Sequence, residues 1–111
     1  MRLLVAIIHR EELLDDVLSA LVEIEAPDAV VVESRSGLEL LERDIPIFAG
    51  LRSLVPGGID FSRLVLCLIE DDGHAEEALA ALRGLRQGPR HPPSEPRNTA
   101  MLVPVSAVEF F

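Results

Sequence analysis

LLVAIIHREELLDDVLSALVEI, residues 3–24, changes its hydrophobic period at His9 and Arg10, and that change decides the fold. Residues 3–8 are a continuous apolar run of strand length, as a central strand requires. From Glu11 onward Leu13, Leu14, Val17, Leu18, Leu21, Val22 and Ile24 fall on one face of a helix. Glu11, Glu12, Asp15 and Asp16 crowd its first turns, where the helix dipole favours negative charge. Pro27 and Asp28 break the pattern before a second strand, AVVVES, at 29–34.

The same unit recurs further along. RLVLCLIE at 63–70 is the third strand. Asp71, Asp72 and Gly73 supply turn and cap chemistry for a second helix expected to begin near His74, with Ala75, Ala78, Leu79 and Leu82 on its apolar face. A last strand is expected at about 100–105. The connection at 35–62 is far longer than a hairpin loop. Within it Phe48, Leu51, Leu54 and Val55 have the spacing of a short amphipathic helix, ended by Pro56, Gly57 and Gly58. It reads equally as a packed excursion over a sheet edge or as a functional loop. Residues 88–98, GPRHPPSEPRN, are expected to be an extended, mobile linker.

Composition narrows the functional classes. The chain has 111 residues, half of them apolar, enough for one compact core and one domain spanning 1–111. No apolar run approaches the roughly 18 to 20 residues that span a bilayer, and no signal-like segment opens the chain, so a cytoplasmic protein without direct membrane insertion is expected. Its formal charge of −9 argues against general affinity for nucleic acid. The single cysteine, Cys67, lies inside LVLCLI and reads as a buried core thiol. There is no Lys, Tyr or Trp, which excludes Schiff-base chemistry and tyrosyl modification. All ten basic side chains are Arg, which stay charged and grip carboxylate or phosphate in a bidentate fork.

Two strand–helix–strand units with right-handed crossovers combine most simply into an α+β, ferredoxin-like βαββαβ fold. It has an antiparallel four-stranded sheet of order 4-1-3-2 and both helices on one face. Strands one and two then end where strands three and four begin. His9, Arg10, residues 34–37, Arg63 and residues 97–99 are expected at that end, with Glu70, Asp71, Asp72 and His74 at the other. The second sheet face carries no helix, and another subunit is its expected cover.

On these residues a family resemblance rests. LLVAIIHREELLDDVLSALVEI followed by VVVES resembles the opening of the nitrogen-regulatory PII signalling proteins, RLVLCLIEDD their middle strand, and MLVPVSAVEFF their closing strand and tail. The resemblance implies a homotrimer with its sheets facing inward. It implies a small ligand, adenine nucleotides among the candidates, held between subunits, and a partner enzyme or transporter regulated through a loop. Carried onto this chain, it implies ligand contacts from Ser34, Arg35, Ser36 and Gly37 at the base of the long loop and from Arg97, Asn98 and Thr99 before the last strand, with Arg35 and Arg97 on an anionic group. The chain differs from the family where LELLERD is acidic and where PSEPRNT stands in place of a Gly- and Lys-rich turn.

No P-loop, nucleophile elbow or HExxH occurs, and a regulator rather than an enzyme is expected. Two alternatives stay open. His9 and His91 with a carboxylate would suit zinc or copper in a trimer resembling the divalent-cation tolerance proteins. Phe48, Leu51 and Leu54 could instead dock a protein partner with no small ligand involved.

Overall fold

A computed structural model describes residues 1–37, 40–41, 61–85 and 97–111. The elements follow in the order β1 (Arg2–Ile8), α1 (Glu11–Glu23), β2 (Val30–Glu33), β3 (Arg63–Ile69), α2 (Asp72–Gly84) and β4 (Thr99–Pro104). The expected short helix around Phe48 to Val55 and most of the Pro-rich stretch, including His91, lie outside the described residues.

The four strands form one sheet of order β2-β3-β1-β4, which is 4-1-3-2 read from its other edge. All three pairings are antiparallel. The fold is the expected α+β, ferredoxin-like arrangement. β1 is central because both its sides are paired: Leu4 lies opposite Cys67 on β3 and opposite Leu102 on β4. Pro104 is tolerated because β4 is an outer strand, where a missing N–H costs no ladder bond.

Alternation along β1 and β3 divides the sheet into two faces. Leu4, Ala6, Ile8, Val65, Cys67 and Ile69 are buried together with Val17 and Leu21 of α1 and Ala75 and Ala78 of α2. Both helices therefore pack on that face. Small alanines let α2 sit close above the sheet, and each buried Leu or Ile contributes roughly 1.5 to 3 kcal/mol by leaving water. Cys67 is in this layer, its Sγ donating to the Pro27 carbonyl oxygen at 3.1 Å. Burial first, and then the charge of Asp28, push its thiol pKa up, so it stays neutral.

The helix ends depart in detail from the sequence pattern. α2 starts at Asp72, two residues before the expected His74, because the Asp71 side chain accepts the His74 N–H at 2.8 Å and so becomes the cap. α1 ends before Pro27 acts on it. Glu25 takes a left-handed φ of 57°, its N–H reaches the Val22 oxygen at 3.0 Å, and the Ala26 N–H reaches the Leu21 oxygen at 3.0 Å. That is a Schellman closure with Glu where Gly is usual, an αL position that costs a non-glycine residue on the order of 1 kcal/mol.

Candidate functional site

The strand directions bring four chain segments to one end of the sheet. Ser34 follows β2, Ser62 precedes β3, His9 follows β1, and Asn98 precedes β4. On the β2–β3 side the Ser34 N–H donates to the Ser62 oxygen at 3.2 Å, and the two hydroxyl oxygens lie 2.8 Å apart. Ser62 is 6% exposed and is the buried polar residue of the described chain, satisfied by this pair. Arg63 is held in place twice. Its guanidinium lies 4.6 Å from the centroid of the Phe61 ring, and Nη1 donates to the Ser62 oxygen at 2.9 Å.

On the β1–β4 side the His9 N–H donates to Asn98 Oδ1 at 2.8 Å, which ties the turn before β4 to the end of β1. The Thr99 hydroxyl donates to the Arg97 oxygen at 3.3 Å. Arg35, Gly37, Arg97 and Thr99 are exposed, and Ser34, Ser36 and Asn98 half-buried. The Leu40 N–H donates to the Ser36 oxygen at 3.2 Å, so helical backbone begins just past Ser36. Among the described residues a Cβ on Gly37 would meet nothing within 4 Å.

All seven expected ligand residues therefore stand at the same end of the sheet, in two groups that do not meet within one chain. Residues 34–37 follow β2 and residues 97–99 lead into β4, and these are the two outer strands. Three inter-strand spacings separate them, about 14 Å. Ser62 and the Phe61–Arg63 contact were not among the expected ligand residues. For the Phe61–Arg63 contact the spacing beside the strand start carries a signal, since residues two apart in extended chain share a face, whereas Ser62 carries none.

The other end of the sheet is acidic. A cavity of about 530 Å3 is lined there by Glu25, Pro27, Asp28, Leu68, Glu70, Asp71, His74 and Phe110. His74 is engaged structurally, its Nε2 lying 2.8 Å from the Ile24 oxygen. Asp72 binds the amino terminus at 3.0 Å and Arg2 at 3.5 Å. The hydrogen bond from the amino group, then its charge, and then Arg2 hold the Asp72 carboxyl below its ordinary pKa. Among the described residues no group of three or more His, Cys, Asp or Glu side chains is placed to hold a metal ion, and His91 lies outside them. No helix among the described residues is long and apolar enough to cross a membrane.

The face of the sheet turned away from the helices is almost wholly apolar. The register sets Val30, Leu66, Val5 and Met101 in one row across all four strands, Val32, Leu64 and Ile7 in a second, and Leu68, Leu3 and Val103 in a third. Val30 is 58% exposed, and Val32, Met101 and Val103 are exposed with it. Contiguous exposed apolar patches of this kind are uncommon on proteins that stay monomeric.

Comparison of the chain with models of protein families gives no match, and comparison with curated proteins gives none either.

Proposed function

We propose that this chain is a PII-like signal-transduction protein that binds a small anionic ligand between copies of a homotrimer and thereby regulates a partner enzyme or transporter. An adenine nucleotide is the first candidate ligand, and the role is regulatory, not catalytic. One observation carries the reading: the two groups of expected ligand residues stand at the same end of the sheet but on its opposite outer strands. β2 runs toward that end and β4 away from it. With two copies side by side, β2 of one and β4 of the next are therefore antiparallel, the sense in which a sheet continues across an interface. Such a pairing would bring residues 34–37 to within about one strand spacing, roughly 5 Å, of residues 97–99 of the neighbour. Repeated by rotation, this head-to-tail contact closes a ring. The open apolar face would line its inside, where water is excluded.

Arg35 and Arg97 are then contributed by different copies to one site, which gives a direct test. Calorimetric titration with ATP, ADP and bicarbonate is expected to show binding to the native protein and none to Arg35→Ala or Arg97→Ala alone. Trimers reassembled from an equal mixture of the two variants should regain about a quarter of the sites, because a random ring places one intact Arg35 beside one intact Arg97 at that frequency. Absence of binding by every ligand, or absence of recovery in the mixture, refutes the shared site.

A further inference from the structure

The segment after β4 turns back toward the β3 side of the sheet. The Val105 N–H donates to the Met1 oxygen at 3.3 Å, beside the start of β1. Five residues later Phe110 lines the cavity formed by Leu68 and Glu70 at the end of β3 and by Pro27 and Asp28 just before β2. Having left the outer strand β4, the chain thus brings Phe110 beside the end of β3 and the residues just before β2, on the far side of β1.

At its destination the segment leaves three apolar side chains uncovered, with Glu109 among them. Phe110 is 69% exposed, Phe111 is fully exposed, and Val108 is exposed with them. Two phenylalanines standing in water forgo most of the burial free energy of about 150 to 250 Å2 of surface each. The open sheet face has the same character and a footprint of roughly 20 by 20 Å, about 400 Å2. A stable interface takes about 800 Å2 from each partner, so the sheet face supplies about half. The two phenylalanines have about the area to make up the rest.

We infer that Phe110 and Phe111 form a clasp that reaches over the β2 edge and packs against a second copy of this chain. This rests on the side-by-side assembly proposed above, since only there does the β2 edge become a seam. The β4 side of the neighbouring copy fits as the surface received. Met101 and Val103 are exposed there, and β4, Thr99–Pro104, carries no charged residue to desolvate. A seam closed by aromatic side chains at one end of the sheet leaves the ligand-binding end free to open and close around its occupant.

The test uses the full chain. Sedimentation velocity across a dilution series is expected to show the native protein as an oligomer and the double variant Phe110→Asp, Phe111→Asp dissociating at a concentration at least tenfold higher, with its far-ultraviolet circular dichroism unchanged. Because the chain has no Trp, Phe111→Trp adds a single reporter. Its emission should shift to longer wavelength as the oligomer is diluted apart. A native protein that stays monomeric at every concentration overturns the assembly itself. A native oligomer whose dissociation the double variant leaves unchanged, with an indole emission insensitive to dilution, overturns the clasp alone.

Discussion

The two faces of the sheet are built from almost the same residue types and meet opposite fates. Leu4, Ala6, Ile8, Val65, Cys67 and Ile69 are sealed under two helices, while their neighbours Leu3, Val5, Ile7, Leu64, Leu66 and Leu68 face away from them. Apolar character alone therefore does not say which face is the core. The covered face adds what the open face lacks: small side chains at Ala6, Ala75 and Ala78, which let helices approach, and tight packing through Val17 and Leu21. One face stores the stability of the single chain, and the other is available for association.

The largest expected effect breaks the covered face. Leu4→Ala leaves a cavity among fully buried neighbours and should lower unfolding free energy by about 3 kcal/mol in a urea titration. A change under about 1 kcal/mol there would mean that the helices are not the true cover. On the open face the reverse is expected. Val30→Asp with Met101→Asp puts two charges into the central row at its outer ends, and should cost the isolated chain about 1 kcal/mol or less while abolishing the proposed self-association. If size-exclusion light scattering finds the oligomer intact, the open face is not an interface.

The smallest effect sharpens how the helix layer is pinned. The amino terminus and Arg2, at the start of β1, hold Asp72 and Glu76 at the start of α2. Because the folded Asp72 pKa lies below the ordinary aspartate value of 3.8, its contribution is fully present above that pH and is lost as pH falls through the lower folded value. Asp72→Asn should therefore narrow the difference between urea midpoints measured at pH 6 and pH 3. An unchanged difference would remove Asp72 from the acid response. The exposed position of this carboxylate keeps the effect small.

Much of the fold was legible because its signals are local. The change of period at His9 and Arg10, the acidic first turns of α1, and the Asp71 cap are readable within a few residues of where they act. The strand order followed from the handedness of two crossovers. The candidate site was legible only in part. His9, residues 34–37, Arg63 and residues 97–99 share an end because strand directions fix it, yet their division between two outer strands sets a distance that no local pattern contains. Ser62 gave no signal at all, since one Ser in a loop reads as solvated until its partner Ser34 is found 28 residues away in sequence. The Glu25 turn was hidden for a similar reason. Its left-handed backbone is held by hydrogen bonds back into α1, while Pro27, the residue that looked like the stop, stands two positions later.

The sequence by itself determined the elements, their order and the antiparallel sheet, because hydrophobic period and crossover handedness are properties of short stretches of chain. Only the tertiary structure decided three further things. It selected which of two apolar faces the helices cover, it separated the two groups of expected ligand residues by the width of the sheet, and it set Phe110 beside the end of β3 and the turn before β2. Each depends on residues far apart in sequence competing for the same space, and packing, unlike periodicity, is settled only when all of them are present.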